Sequence, residues 1–505
     1  MFLSKSSFKK YLQCPSYFWF ANHQPEVLQE KDASEFEKAL AEQGKKVEQQ
    51  FYLLFPEVKM ISNKGIAALE ETKILEQQHT EYIGQAAFAA DGFFAQADMV
   101  HFKGDQHIDI YEVKSSSSMQ NIGMEDSTQA PSKEEHEADL AFQYEVATLA
   151  GYTVDNTILV ELNKTYTRQG EIDLSQLFNI NNVTEQVLKL LPDIRESMQE
   201  ALTYSLSTIQ PTTCGCIYKP RKDQCPAFTL LYPDWMGYTV HDLARIGQSP
   251  KRLVAFVDQN IINIKDVPSG IELLDSHRDQ IMSWNENREI IDRVEIARTL
   301  NGLNYPLYFL DYETYAPAIP VFEGTRPYQQ IPFQYSLHII PEKDAETLHV
   351  EFLHTDRSNP IPAISNHLRS TIGDVGTIIV WHSPFESGRN KELAGAVPSL
   401  SSFLLGLNTR MFDLKDIIAK RMYVHKDFRG SASIKKVLPV LVPELSYQDL
   451  AIGDGGKATT EWSRMVFELT DESEKEKIHQ QLFDYCKLDT LAMVEIYRKI
   501  KDLTA

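Results

Sequence analysis

The sequence predicts an α/β protein of more than one domain, and three observations lead to this fold class. The chain has 505 residues, more than a single hydrophobic core usually serves. Strand-like apolar runs alternate with runs of helical periodicity in two separate stretches, 1–232 and 304–505. Between them, residues 233–303 carry only helical pieces and predict a helical connector.

Composition and charge restrict the class of protein further. No apolar run approaches the roughly 20 residues of a membrane helix, and the N-terminus MFLSKSSFKKYLQCPSYFWF has no signal-peptide core. We therefore expect a cytoplasmic protein without a membrane partner. The formal net charge of −21 argues against a nonspecific nucleic-acid coat, whereas clustered carboxylates are what Mg²⁺ and Mn²⁺ bind. Five cysteines are too few for a disulfide scaffold.

The N-terminal stretch reads as helix, three strands, helix, strand. Helical spacing covers residues 1–20 and 34–55, and a serine-rich segment from Ser115 to about Lys133 predicts a mobile loop. A further helical region ends near Ser205. The predicted strands are YIGQAAFAA, FFAQADMVHF, HIDIYEVK and NTILVEL, with the helix EADLAFQYEVATLAG before the last.

A first candidate site lies at the end of HIDIYEVK. Alternation places Glu112 and Lys114 on one strand face, and Asp98 on the preceding strand can meet Glu112 across the hairpin. Two carboxylates can hold Mg²⁺ or Mn²⁺, and the lysine can orient or deprotonate the attacking water. A surface ion pair is the alternative. E-x-K occurs also at 57–59 and 71–73, but only this copy ends a strand beside an acid-bearing strand.

Four cysteines form a second candidate site. One lies early in the chain and three are clustered about two hundred residues later: Cys14, Cys214, Cys216 and Cys225. Four thiolates can bind one iron–sulfur cluster or one Zn²⁺ and so tie the two ends of the domain together. Ordinary free cysteines are the third reading of this pattern.

These motifs make residues 1–230 resemble the RecB-like PD-(D/E)XK nucleases, especially the iron–sulfur CRISPR adaptation nucleases. Asp98 matches the motif acid, E-V-K supplies Glu112 and Lys114, and Gln143 lies in the following helix. In the family's Q-x-x-x-Y motif the glutamine contacts the substrate or the site; the tyrosine position here is Ala147.

The same resemblance implies two further features of this half. It implies a restriction-endonuclease-like core with a metal ligand on the early helix, where Glu48 in AEQGKKVEQQF is the best candidate. It also implies a structural [4Fe–4S] cluster, because LQCP before the core and C-G-C with C-P-A-F after it match the family's cysteine arrangement. Zn²⁺ is the alternative occupant.

The C-terminal stretch begins with three meandering strands, LYFLDYET, FQYSLHII and LHVEFLH. A helix, IPAISNHLRST, a strand, TIIVWH, and further helices follow. Asp311 and Glu313 share a strand face, Glu386 opens the helix after TIIVWH, and Tyr485 and Asp489 lie four apart on a late helix. Converging carboxylates can bind two divalent ions about 4 Å apart. Taken singly, each acid is an ordinary ion-pair, helix N-terminal or surface residue.

This half resembles the RNase H-like DEDD exonucleases in their tyrosine variant and, more narrowly, an uncharacterised domain often fused to RecB-like nucleases in bacteria. D-Y-E fits the first motif with Asp311 and Glu313, and Y-C-K-L-D fits the third with Tyr485 and Asp489. The second motif departs from the family, because W-H-S-P-F-E with Glu386 replaces the usual asparagine and aspartate. The resemblance implies 3′→5′ exonuclease activity.

Three further positions complete the predicted C-terminal site. Asp413 in RMFDLKD matches a supporting acid of the superfamily. His382 and Lys435–Lys436 are candidate substrate contacts, with a structural histidine and a solvated lysine pair as the alternatives.

Together the motifs predict a dual-site, Mg²⁺- or Mn²⁺-dependent nuclease that acts on single-stranded DNA ends. Genome defence, DNA repair and CRISPR-linked end processing all fit, with a helicase or defence protein as partner. In one alternative only the C-terminal site is active, on DNA or RNA, and the N-terminal half is a non-catalytic nucleic-acid-binding platform. A non-catalytic adaptor and a redox sensor are further alternatives, and no electron-transfer feature supports the latter.

Overall fold

The computed structural model describes residues 2–28, 35–115, 133–448 and 450–504, and there the chain is mixed α/β with three sheets. The described residues up to 236, with 317–328, form one compact unit, called unit 1. Residues 237–316 and those from 329 onwards form unit 2. The predicted connector therefore groups mainly with the C-terminal half. The predicted loop after Ser115 lies outside the described residues.

Unit 1 is built on a twisted sheet with helices on both faces. The sheet order is β2-β3-β4-β5-β6-β7, and β1 pairs in parallel with β4. Its strands are β1 (Leu3–Ser4), β2 (Lys59–Met60), β3 (Tyr82–Ala90), β4 (Phe93–Gly104), β5 (His107–Lys114), β6 (Thr153–Leu162) and β7 (Phe178–Asn182). Its helices are α1 (Lys5–Gln13), α2 (Pro15–His23), α3 (Glu35–Tyr52), α4 (Ile66–Gln77), α5 (Lys133–Leu149), α6 (Leu174–Leu177), α7 (Thr184–Ser205) and α8 (Phe228–Leu231).

Strand β5 is covered on both faces, which explains its almost continuous burial. It pairs antiparallel with β4 and parallel with β6. Ile108 and Ile110 face a core that includes Phe142 of α5. Tyr111 faces a second core that includes Phe51 of α3. A side chain at the end of β5 therefore lies between the sheet and a helix, partly withdrawn from water.

Unit 2 is built on a five-stranded mixed sheet of order β11-β10-β9-β12-β13, with a small β14-β8 pair beside it. Its strands are β8 (Ile290–Ile291), β9 (Leu307–Tyr315), β10 (Ile331–Ile340), β11 (Leu348–Leu353), β12 (Thr377–Val380), β13 (Met411–Asp413) and β14 (Tyr423–Val424). Its helices are α9 (Pro250–Asp258), α10 (Asp275–Asn285), α11 (Arg293–Asn301), α12 (Pro360–Thr371), α13 (Ser383–Ala396), α14 (Ser401–Thr409), α15 (Asp416–Ala419), α16 (Ile434–Leu441), α17 (Gly455–Ser463) and α18 (Glu472–Asp502).

The central strand of unit 2 is β9, which joins an antiparallel meander to a parallel pair. It pairs antiparallel with β10 and parallel with β12. Gly376, just before β12, has φ +96°. A Cβ at that position would collide with the carbonyl oxygen of Pro306, so glycine allows β12 to come alongside β9. Phe309 of β9 and Met493 of α18 lie in the core below the sheet.

Several element boundaries differ from the sequence-based expectation. The predicted helix over residues 1–20 is interrupted at Cys14, whose extended backbone separates α1 from α2. The strand predicted as TIIVWH ends at Val380, and His382 adopts φ +113° before α13 begins. Strand β7 and helix α4 were not expected. Of the helices in the described ranges, none combines the length and apolar character that a membrane crossing requires.

Candidate functional sites

The first predicted site is assembled around Glu112, which is 2% exposed at the end of β5. Both Lys5 Nζ and Lys114 Nζ donate to Glu112 Oε1, at 2.7 and 2.6 Å. Gln143 Nε2 on α5 donates to Oε2 at 2.5 Å. Burial raises the pKa of Glu112, but the charges of Lys5 and Lys114 outweigh it and hold that pKa well below its usual value.

Asp98 lies on β4 opposite Glu112. The β4–β5 register pairs Met99 with Tyr111, and the next antiparallel pair in that register joins these two acids. Asp98 Oδ2 accepts the backbone N–H of Val113 at 2.7 Å. Burial, and then the charge of Glu112, raise the pKa of Asp98 to about 8. The strand pair thus brings together two carboxylates that repel each other.

Helix α5 adds two residues that the sequence analysis missed, Asp139 and His136. Asp139 Oδ2 accepts from Lys114 Nζ at 2.9 Å and from Lys9 Nζ at 2.8 Å. His136 is buried, and neither of its ring nitrogens has a hydrogen-bond partner among the described residues. His136 lies three positions before Asp139, and Asp139 lies four positions before Gln143. Helical spacing counted back from Gln143 was therefore a signal that could have found both residues.

Glu48 of α3 lies beside this group rather than inside it. Gln85 Nε2 approaches its Oε2 at 3.4 Å. Burial and the charge of Glu112 raise the pKa of Glu48. It is thus electrostatically coupled to Glu112 without a direct hydrogen bond to it.

The four predicted cysteines come together in unit 1, with their sulfur atoms within 4.8 Å of one another. All four are buried, in a shell of aromatic side chains that includes Trp19 and Phe228. Hydrogen bonds from the other three thiols hold the pKa of the Cys14 thiol below its ordinary value. Four sulfur donors at this spacing fit a four-ligand metal centre, either an iron–sulfur cluster or Zn²⁺.

The chain segments around the cysteines are also joined by hydrogen bonds. Ser16 Oγ donates to the carbonyl oxygen of Thr213 at 2.6 Å, and Trp19 Nε1 donates to that of Ser207 at 2.8 Å. Cys14 itself occupies the junction where α1 ends and α2 begins. The start of α1, with Lys5, is thus connected through one short helix to the cysteine group.

In unit 2, Asp311 and Glu313 of β9 share a compact group with Cys486 of α18. One ligand atom of each lies within 4.8 Å of the others. Burial, and then the charge of Asp489, raise the pKa of Asp311 well above its usual value; burial and Asp311 do the same to the pKa of Glu313. Cys486 is fully buried, and no sequence motif included it among the candidate site residues. Its position next to Tyr485 was the available signal.

Asp489 and Tyr485 are both buried on α18, as their spacing predicts. Tyr447, which the sequence analysis missed, donates its hydroxyl to Asp489 Oδ1 at 2.7 Å. Burial raises the pKa of Asp489 to about 6, against the effects of Tyr447 and Lys435. Lys435 is exposed, and its Nζ donates to the carbonyl oxygen of Gly453 at 3.2 Å.

Glu386 lies in the first turn of α13 and is 2% exposed. Its Oε2 has no hydrogen-bond partner among the described residues. Burial, and then the charge of Asp311, raise its pKa well above the usual value. Glu386 is therefore a neighbour of Asp311, although it falls outside the compact group of three.

Asp413 has a supporting position, at the end of β13. Its carboxylate accepts the backbone N–H groups of His382 at 3.1 Å and Ser383 at 2.8 Å. It thereby caps the start of α13, the helix that carries Glu386. The side chain of His382 is exposed, as is that of Lys436.

Comparison with known proteins places one domain in this chain. Residues 308–433 match the family model described as "Domain of unknown function (DUF2779)". The match includes Asp311, Glu313, Glu386 and Asp413 and ends before α18.

Three curated relatives match part of the chain at low identity. The chain is 25% identical over 241 residues to "Uncharacterized protein MG366" of Mycoplasma genitalium, which covers 44% of this chain and 36% of the relative. It is 25% identical over 239 residues to the Mycoplasma pneumoniae homolog, with 44% and 36% covered. "Uncharacterized protein UU173" of Ureaplasma parvum is 24% identical over 257 residues, with 46% and 37% covered. The chain thus matches little more than a third of each relative's length, and their names state no activity.

Proposed function

We propose that this protein is a metal-dependent nuclease with two catalytic sites, one in each unit, that cleaves DNA from single-stranded ends. One observation carries the proposal: each unit gathers buried and half-buried carboxylates from separate elements at the centre of its sheet. The acids are Asp98 and Glu112 in unit 1, and Asp311, Glu313, Glu386 and Asp489 in unit 2. A divalent ion stabilises the ionised form of carboxylates that lie close together away from water.

In unit 1 the surrounding residues define the roles. A divalent ion on Asp98 and Glu112 would supply a Lewis acid and a water of lowered pKa. Gln143 fixes the orientation of Glu112 through Oε2. Lys114, held between Glu112 and Asp139, is positioned to orient the attacking water and to neutralise charge on a phosphate.

In unit 2 the four acids offer hard oxygen donors, which suit Mg²⁺ and Mn²⁺. Oε2 of Glu386 accepts no hydrogen bond from the described residues, so no donor competes with an ion for this oxygen. Tyr447 orients Asp489 through a hydrogen bond, and Tyr485 is near enough to the acids for their charges to raise its pKa. The sheet order, with a three-stranded meander beside two parallel strands, supports an RNase H-like fold for this half. The 3′→5′ polarity rests on the resemblance to the DEDD exonucleases.

The cysteine group completes the proposal as a structural clamp. Its four thiols suit a [4Fe–4S] cluster, with Zn²⁺ as the alternative. Since it lies beside the start of α2 and the chain after α7, it would hold the two ends of unit 1 together. Its role in the reaction is indirect.

A cleavage assay tests the two sites separately. Single-stranded DNA labelled at the 5′ or the 3′ end is incubated with Mg²⁺ or Mn²⁺ and protein purified without oxygen. Glu112→Gln is expected to remove one subset of products and Asp311→Asn another. Matched controls remove an exposed acid from another copy of the same short motif. Glu57→Gln alters the E-x-K at residues 57–59, and Asp344→Asn alters the D-x-E at residues 344–346, which repeats the spacing of Asp311 and Glu313.

The outcomes separate the readings. Loss of cleavage only with Asp311→Asn would reduce unit 1 to a binding platform. If neither substitution changes cleavage more than its control, both site assignments are wrong.

A further inference from the structure

Helix α1 brings two lysines, Lys5 and Lys9, to the site of unit 1 on successive turns. Lys5 Nζ is 2.7 Å from Glu112 Oε1, and Lys9 Nζ is 2.8 Å from Asp139 Oδ2. Lys114 bridges the same two acids at 2.6 and 2.9 Å. The five side chains therefore form a row of alternating charge, with a lysine of α1 at each end.

Both acceptor positions of Glu112 Oε1 are already used in this row. Its Oε1 accepts from Lys5 and Lys114, and its Oε2 accepts from Gln143. A divalent ion that binds Oε1 must displace a lysine. Lys114 would keep its ion pair with Asp139. Lys5 would lose its ion pair with Glu112 and would need another anion.

The two lysines of α1 lie on the solvent side of the row. The side chains of Lys5 and Lys9 are 23% and 50% exposed, whereas those of Glu112 and Asp139 are 2% and 3% exposed. An anion that arrives from solvent meets the ammonium groups before it meets the acids. Residues four apart on a helix are about 6 Å apart along its axis, a spacing that suits neighbouring phosphates of one strand.

We propose that Lys5 and Lys9 bind successive backbone phosphates of the DNA strand at the site of unit 1, with Lys5 on the phosphate next to Glu112. The inference rests on the proposed nuclease function and assigns it a substrate-binding surface. Lysine is a point-charge ligand for phosphate, and such contacts set the position of a strand without reading its sequence. The competing role is structural, with both lysines only neutralising buried acids.

The salt dependence of binding and cleavage distinguishes these roles. All variants carry Asp311→Asn, so that only unit 1 cleaves. Lys5→Ala and Lys9→Ala are compared with their parent and with Lys10→Ala, which removes a lysine of the same helix that lies over the Tyr17 ring. Binding of a fluorescent single-stranded DNA is followed by anisotropy in Ca²⁺, and kcat and KM are measured in Mg²⁺.

A substrate-binding role gives a defined signature. Each lysine lost is expected to weaken DNA binding roughly three- to tenfold and to flatten the slope of log affinity against log salt by about 0.7. Lys9→Ala raises KM with kcat nearly unchanged, and Lys5→Ala lowers kcat as well. Arginine at either position restores most of the affinity, and Lys10→Ala behaves as the parent.

Equal salt slopes and equal KM values in the parent, Lys5→Ala and Lys9→Ala overturn this inference and leave the proposed function standing. A parent that neither binds nor cleaves DNA overturns both. If Lys5→Ala unfolds, the half-exposed Lys9 carries the test alone, because its removal leaves Asp139 paired with Lys114.

Discussion

At the scale of single residues, the two sites treat their acids differently. Glu112 is paired with two lysines. Asp311 and Glu313 lie close to each other, to Asp489 and to the thiol of Cys486. Burial and the neighbouring acids raise the pKa values of both. Unit 1 therefore supplies its own counter-charge, whereas unit 2 depends more strongly on protons or divalent ions for neutralisation.

The hydrogen bond from Tyr447 to Asp489 gives a first prediction. Tyr447→Phe removes the donor, so the free energy of unfolding should fall by about 1 kcal/mol, and cleavage by unit 2 should fall several-fold because Asp489 loses its orientation. Urea denaturation and the 3′-end assay measure the two effects. Tyr335→Phe is the control, since its hydroxyl bonds His367 at 2.7 Å, away from the acids. Equal activity in both variants would contradict the prediction.

His338 gives a pH-dependent prediction for stability. Burial, and then the charge of His349, lower its pKa to about 3 in the folded protein, while the unfolded value is about 6.5. Below pH 6.5 the unfolded state therefore binds the extra proton, and stability falls as the pH falls. Between pH 7 and 5.5 the loss from this group should be about 1 kcal/mol by urea denaturation. His338→Gln should remove this contribution to the pH dependence of stability. An unchanged pH dependence in the variant would refute the prediction.

At the scale of elements, helix starts and strand ends position the chemistry. Glu112 lies near the end of β5, Asp311 and Glu313 lie in the second half of β9, and Glu386 lies in the first turn of α13. The start of α13 is held by Asp413 from β13. The position of Glu386 therefore depends on a contact between β13 and the start of α13, the helix that follows β12, the parallel neighbour of β13.

Removal of this cap is the element-scale prediction. Asp413→Ala leaves the backbone N–H groups of His382, Ser383 and Lys415 without their side-chain acceptor, and the lost cap of α13 should cost about 1 kcal/mol of stability. Cleavage by unit 2 should fall further than stability alone explains, because Glu386 shifts with the helix start. Asp416→Ala is the control, since it removes only a largely exposed ion pair to Lys420. Normal cleavage by Asp413→Ala would show that Glu386 is held independently.

At the scale of the whole molecule, each compact unit contains its own candidate metal ligands. The cysteine group and the Glu112 site both belong to unit 1. The Asp311 site belongs to unit 2, and most of its acids fall within the matched DUF2779 region. Loss of one metal centre should therefore impair the activity of its own unit before that of the other unit.

Substitution of one cysteine tests this independence. Cys14→Ser removes one of four sulfur ligands, so bound iron or zinc should be lost and cleavage by unit 1 should collapse, while the products of unit 2 persist. Metal analysis and end-labelled DNA follow the two effects. Ser16→Ala, which removes the hydrogen bond to Thr213 but no sulfur ligand, should retain the metal. Simultaneous loss of both product sets would contradict the independence of the units.

The sequence by itself determined strands β3 to β6 and β9 to β12 and the local pairs. Strands β3 and β5 have the predicted bounds, and the alternation along β5 and β9 correctly joined Glu112 with Lys114 and Asp311 with Glu313. These features are local, because strand and helix periodicities place residues two or four apart without knowledge of the fold. The grouping of the cysteines followed from their chemistry and was supported by the family resemblance.

Only the tertiary structure decided which distant residues complete the sites. Lys5 meets Glu112 across 107 positions of sequence, and Tyr447 meets Asp489 across 42. Lys9 joined the site of unit 1 in the same way, across 130 positions to Asp139. No local pattern contains this information, because it depends on which helix packs against which strand end and on the charge that burial leaves to be neutralised.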